Sequence, residues 1–178
     1  MNTSLSMGFI MLGLKIRNGK KSDARAVCNM AAALSAHEGV ADPKFTIEDY
    51  QKYGFGRRQQ FKTLVAEAGE KVVAYLIFCE SFHIGIGTPG LNILDLFVDN
   101  AFRRMGIGKK LFATLSSYCI RNNGTWITWQ CQPKNESALH FYRSIGGRQY
   151  AALDFELADN DLVRLSKKSL MSFEIFSF

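Results

Sequence analysis

Seven residues near the middle of the chain, Arg103-Arg104-Met105-Gly106-Ile107-Gly108-Lys109, have the types and spacing of an anion cradle. The segment follows an apolar run and opens a helical pattern. The first turn of a helix carries unpaired N–H groups and the positive end of the helix dipole. Gly106 and Gly108 lack a Cβ, so a pyrophosphate can approach the backbone closely. Arg103 and Lys109 add positive charge, with Arg104 beside them. Two other phosphate loops fit poorly. A dinucleotide fingerprint wants Gly-x-Gly-x-x-Gly directly after a first strand. Here the third position is Leu111, and several strands come before it. A P-loop needs Gly-x-x-x-x-Gly-Lys-Ser/Thr, and the chain has none.

The elements that must hold this cradle follow from periodicity and breakers. Residues 91–98 predict a strand leading into it, and residues 106–122 predict a helix ended by Asn122-Asn123-Gly124. Residues 125–131, rich in β-branched and aromatic types, predict the next strand. Asn135 caps a helix over 136–145, which Gly146-Gly147 ends. Upstream, 11–17 read as a strand, and Ser22 is placed to cap a helix over about 23–36. Thr46 caps a short helix over 47–53, with Glu48 and Asp49 in the turn that the dipole favours. Residues 61–67 and 72–78 form a hairpin around Gly69-Glu70, and a Gly-rich loop covers 83–90. Strands near 148–157 and 171–176 end the chain. The strand–helix–strand–helix middle calls for a right-handed parallel crossover, and the hairpins call for antiparallel pairing. The expected fold class is α/β: a mixed, mostly antiparallel sheet with a central parallel pair and helices on both faces.

Composition sets the outer bounds. A chain of 178 residues suits a single domain, 1–178, with residues 1–8 as a frayed start. The net charge of +6 favours an anionic partner. The basic pairs Lys20-Lys21, Arg57-Arg58, Arg103-Arg104, Lys109-Lys110 and Lys167-Lys168 are scattered, which argues against nucleic-acid binding. Cys28, Cys79, Cys119 and Cys131 form no CxxC pair and no His lies at metal-ligand spacing, so reduced thiols in a cytoplasmic protein are expected, with no metal. The apolar run at 7–14 is too short to cross a bilayer and lacks the preceding positive charge of a secretory signal.

A second constellation, Asn135-x-x-Ala138-x-x-Phe141-Tyr142-x-x-x-Gly146, follows the cradle with one strand between. Together the two resemble the Gcn5-related N-acetyltransferase (GNAT) superfamily. The resemblance implies acetyl-coenzyme A (acetyl-CoA) as cofactor, bound by Phe97, Val98, Arg103, Arg104, Gly106, Ile107, Gly108, Lys109, Asn135 and Tyr142. It implies a Tyr142 hydroxyl directed at the thioester sulfur and a backbone N–H near Phe97 or Val98 that polarises the acyl carbonyl. Asp95 is then the carboxylate on that strand, able to anchor an ammonium or act through water as a base; His83 and His37 are further candidate bases, and His140 reads as structural. A narrower resemblance, carried by Glu38, Ile47 to Gly56, Leu64 to Glu67 and Asp95 to Val98, is to the diamine and polyamine acetyltransferases. Three positions depart from that group: Leu94 stands where it has a proton-accepting Glu, His83 where it has a Trp, and Lys134 where it has a Trp. The resulting expectation is acetyl transfer to a primary amine of a small molecule, by a homodimer. A non-catalytic acyl-CoA sensor and a protein N-acetyltransferase are the alternatives.

Overall fold

In this computed structural model the described residues are 13–39, 44–152 and 154–169, with side chains for all of these except 37, 38, 168 and 169. The expected strand at 171–176, the start at 1–8 and the side chains of His37 and Glu38 lie outside them. The chain divides into two compact units between Ala138 and Leu139.

In the first unit, β1 (Leu14–Asn18) pairs antiparallel with β2 (Lys62–Ala68), which pairs with β3 (Lys71–His83). β3 pairs antiparallel with β4 (Thr88–Val98), and β4 pairs parallel with β5 (Ile127–Trp129). The sheet order is β1-β2-β3-β4-β5. The mixed sheet with one parallel pair is as expected. The loop foreseen at 83–90 shrinks, because β3 and β4 continue through it until His83 meets Thr88.

Both faces of the sheet are covered. Val65, Tyr75, Ile77 and Phe97 form one core with Ala24, Val27, Met30 and Ala31 of α1 (Ala24–Glu38) and Tyr50 of α2 (Ile47–Phe55). Leu64 and Leu76, cross-strand partners of the opposite parity, face the other way. On that side α3 (Ile107–Arg121) buries Ile107, Leu111, Phe112, Leu115 and Cys119, and its Tyr118 meets Phe78 edge-on at 5.3 Å. Coverage on both faces explains why Val73 to Phe78 read as a continuous apolar run rather than an alternation.

The caps show which sequence signals prevailed. Thr46 Oγ1 accepts from the Asp49 N–H at 3.1 Å and Asp49 returns the bond to the Thr46 N–H, a reciprocal capping box. Gly39 (φ 79) ends α1 in the left-handed conformation. Ser22 does not cap α1. A 3-10 turn, Lys21–Asp23, precedes the helix, and Asp23 takes the Lys20 N–H at 2.7 Å. Asp23 is fixed there by Arg17, whose guanidinium also reaches Glu67 on β2. The Asp23 carboxylate is taken up by the Lys20 N–H and the Arg17 guanidinium and makes no capping bond to α1.

In the second unit, the expected strand near 148–157 is absent from its described residues, and Tyr150, Phe155 and Leu157 are exposed. Alternation alone does not make a strand; the ladder needs a partner. A helix, α5 (Asp159–Ser169), follows instead. Helix α4 (Glu136–Ser144) spans the division between the units.

Candidate active site

The cradle is built by the exit from β4. Asp99 anchors the turn: its backbone N–H donates to Val73 O at 2.9 Å, and its carboxylate accepts from the Ala101 N–H at 3.0 Å and the Lys71 ammonium at 3.3 Å. A 3-10 turn, Asn100–Phe102, leads to Arg103. The Arg103 Nε donates to Val98 O at 3.0 Å and its guanidinium lies 5.4 Å from the Phe97 ring centroid, so this cation braces the loop as well as charging it. Arg104 and Gly106 both hold positive φ, 64° and 76°. Gly106 is the N-cap residue of α3, with open space where a Cβ would stand. The first ladder bond of α3 runs from Lys110 N to Gly106 O at 3.0 Å. The N–H groups of Ile107, Gly108 and Lys109 therefore have no carbonyl within the helix to meet. Ile107 is buried while Arg104 and Lys109 are exposed, which presents donors and charge on the open side.

Beside the cradle, β4 changes character part-way along. Its parallel pairing with β5 covers Leu91, Asn92 and Ile93 and goes no further. Phe78 pairs with Ile93 while Ile77 pairs with Asp95, so Leu94 is an inserted residue, a β-bulge. Leu94 is 51% exposed. Beyond it, β4 keeps β3 as its neighbour through Val98. The Leu96 N–H donates to the side chain of Asp95 (Oδ1, 2.8 Å), so it does not point along the β3 ladder. Strand alternation then sets the Leu96 and Val98 N–H groups on the edge that β5 has left. The other Asp95 oxygen, Oδ2, accepts from the Tyr75 hydroxyl at 2.6 Å. The Tyr75 ring is fully buried and stacks on Phe97 at 6.4 Å.

The first unit thus brings together Asp95, Phe97, Val98, Arg103, Arg104, Gly106, Ile107, Gly108 and Lys109. Asn135 serves as the expected cap, its Oδ1 accepting from the Ala138 N–H at 3.1 Å, and Lys134 is exposed. Tyr142 lies on the part of α4 that belongs to the second unit, half-buried, its ring tilted against Phe141 at 5.4 Å. His140 is exposed on the same helix. His83 stands at the far end of the β3–β4 hairpin, in register with Thr88 and edge-on to Trp126. Leu94 is six positions along the strand from Thr88, roughly 20 Å, too far for His83 to take a proton from a group near Asp95. Burial pushes the thiols of Cys28, Cys79 and Cys119 up from their ordinary value, which disfavours a nucleophilic thiolate at those positions. Among the described residues no cluster of three His, Cys, Asp or Glu can hold a metal ion, and no helix is long and apolar enough to cross a membrane.

Sequence reasoning missed Tyr75 and the Leu96 amide. A tyrosine inside an unbroken apolar run was the available signal for Tyr75, since a buried phenol needs an acceptor and Asp95 supplies it. The bulge leaves no comparable mark.

Comparison with known proteins agrees with this fold. The model of a family described as "Acetyltransferase (GNAT) family" matches residues 30–146, across the division between the units. A human spermidine/spermine N(1)-acetyltransferase-like protein 1 is 24% identical over an alignment of 166 residues that covers 88% of this chain. The chain spans 23% of that relative's length. Among solved structures, an integron cassette protein from the mobile metagenome of V. cholerae superposes with a TM-score of 0.74 at 22% identity, covering 87% of this chain and 98% of the other. An aminoglycoside acetyltransferase from an uncultured soil metagenomic sample, solved with sisomicin, gives 0.67 at 24% identity over 84% of this chain and 99% of its own.

Proposed function

We infer, because this chain belongs to the acetyltransferase (GNAT) family, that it moves an acetyl group to a primary amine of a small molecule by direct attack. The family uses acetyl-CoA, which supplies an activated acyl thioester when bound. The residues present fit it. Arg104, Lys109 and the amides of Ile107, Gly108 and Lys109 would hold the pyrophosphate at the start of α3. The observation that carries the reading is the parting of β4 from β5 at Ile93, beside that helix start. The parting leaves backbone donors where a carbonyl can be polarised, and preset donors of this kind act where charge develops.

The acceptor amine must first lose a proton, which at pH 7.4 costs an ordinary alkylamine about 4 kcal/mol. Asp95 would hold the ammonium and take that proton, directly or through one water. The carbon–nitrogen bond forms as the carbon–sulfur bond breaks. Tyr142 would give its hydroxyl proton to the leaving sulfur, a role that rests on the Asn135-to-Gly146 motif alone.

For the acceptor we favour a molecule with one amine, or a weakly basic amine, over a polyamine. An exposed Leu94 stands in the bulge, and the chain carries a net charge of +6. Both work against a polycation, whose site should cluster carboxylates. The enzyme is expected to act as one domain, as a cytoplasmic homodimer, which light scattering on the purified chain would test. The deciding experiment measures kcat/KM for spermidine, a diamine and a monoamine in the wild type and in Leu94→Glu. Weak spermidine turnover that improves in the variant supports the reading. Efficient wild-type spermidine turnover, lost in Asp95→Asn, overturns it. Acetyl-CoA retained without turnover of any amine would mark a sensor instead.

A further inference from the structure

The Leu96 amide has one hydrogen, and Asp95 holds it. Asp95 Oδ1 accepts from the Leu96 N–H at 2.8 Å, on the edge of β4 that faces away from β3. Under the functional reading above, on which this inference rests, an acyl oxygen entering the gap between β4 and β5 beside the bulge takes the Leu96 N–H, the nearer to the bulge of the two donors, with Val98, on that edge. One N–H cannot serve a carboxylate and a carbonyl at full strength. We propose that Asp95 and the acyl oxygen compete for the Leu96 amide, so that arrival of the acyl group releases the carboxylate toward the acceptor amine.

The geometry permits the exchange at low cost. Asp95 is gripped at its other oxygen by the Tyr75 hydroxyl at 2.6 Å. The Tyr75 ring is fixed by complete burial and by stacking on Phe97. The terminal torsion of the carboxylate is broad and shallow, so a small turn weakens the Oδ1 bond while Oδ2 remains within hydrogen-bond reach of the hydroxyl. Tyr75 is thus a positioning residue: it keeps the released charge beside the acyl group. The Leu94 bulge makes the arrangement possible, because it directs Asp95 toward the Ile77 and Tyr75 side while freeing the next amide. Coupling of this kind is reciprocal. Acetyl-CoA should promote binding of the amine, and free CoA, which has no acyl oxygen, should not.

Calorimetry with acetyl-CoA and with CoA on the full chain separates the possibilities. Asp95→Ala vacates the amide and should tighten acetyl-CoA about tenfold, the scale of a charge-assisted hydrogen bond, with CoA unchanged within about twofold. Asp95→Asn keeps the shape with a weaker acceptor and should tighten it about threefold; it also serves if the alanine variant fails to fold. Tyr75→Phe should lower both the KM for acetyl-CoA and kcat, a split that loss of packing alone would not produce. Equal changes for the two ligands, or weaker acetyl-CoA binding in Asp95→Ala, would overturn the competition and leave the functional reading standing. A wild type that binds neither ligand would overturn both.

Discussion

The two halves of β4 have the same neighbour on one side and opposite situations on the other. From Leu91 to Ile93 the strand is paired with both β3 and β5. The start of this half is tightened further: Leu91 N donates to Trp126 O at 3.1 Å, Thr125 N to Pro89 O at 3.0 Å and Trp126 Nε1 to Thr88 O at 3.2 Å. From Asp95 to Val98 the strand is paired, among the described residues, with β3 alone, and the side chains of Asp95 and Arg103 bond to its outer edge. Saturated backbone gives rigidity and has nothing left to offer a ligand. A strand with one bare edge keeps its donors for use while its other edge holds it in place. Under the proposed function the same strand would serve as scaffold and as reagent.

The largest expected effect breaks the saturated half. The Trp126 ring lies directly over Gly90, so that a Cβ there would collide with it. Gly90→Ala should cost about 3 kcal/mol by overpacking and lower Tm by roughly 10 °C for a chain of this size, read by scanning calorimetry. A comparable loss from Leu94→Ala, in the open half, would erase the contrast; a change under about 0.5 kcal/mol is expected for so exposed a residue. Next comes Gly106→Asp. The side chain enters open space, and the left-handed φ of 76° costs a non-glycine residue about 1 kcal/mol, a small part of the stability of a chain this size. The fold should persist while acetyl-CoA binding weakens about a hundredfold, because a negative charge stands where phosphate belongs. Unchanged affinity by calorimetry would misplace the cradle. Smaller again, Tyr142→Phe should lower kcat roughly thirtyfold, below the usual range for a lost general acid, with acetyl-CoA affinity kept within about twofold. A fall in kcat of less than twofold would assign the ring to packing.

The mildest effect concerns a second pair of regions, the surroundings of Asp23 and Asp95. Burial by itself would push the Asp23 carboxyl up; the Arg17 guanidinium and the Lys20 N–H outweigh it and hold the group below its ordinary 3.8. A carboxyl whose folded value is depressed stabilises the fold above the unfolded value, and that contribution is lost as pH falls through the folded one. The wild type should therefore lose stability on acidification below about pH 4, and Asp23→Asn should show a flatter profile there in denaturant titrations. A guanidinium clamps Asp23. Asp95 is held through a hydroxyl and an amide, bonds that can be exchanged.

The parts legible in the sequence are those set by local chemistry. Thr46 and Asp49, Gly39, Asn135 and the Gly106 helix start each acted where their residue types dictated. The hairpin at Gly69 and the parallel pair followed from turn residues and connection lengths. Signals that depend on a distant partner were lost. Ser22 makes no cap because the turn before α1 is set by Asp23, which binds the Lys20 N–H and Arg17, itself paired with the sequence-distant Glu67. The 148–157 pattern alternates well but has no strand beside it among the described residues. α5 was legible and overlooked: Asp159 and Asp161 begin it, basic residues follow, and Leu162 and Leu165 are one turn apart. The bulge escaped because an apolar run reads alike with or without an extra residue.

That extra residue is a phase shift in the strand. Before Leu94, odd-numbered Ile93 sits across from Phe78, whose ring meets Tyr118 of α3. After it, odd-numbered Asp95 and Phe97 sit across from Ile77 and Tyr75, in the layer shared with α1 and α2. The position therefore tolerates exchange far better than loss. Many side chains can stand at residue 94, but deleting it would return the strand to phase, turn Asp95 and Phe97 into the α3 layer and carry Leu96 into the other. In a library of variants, residue 94 should be among the most permissive sites for substitution and among the least permissive for a one-codon deletion.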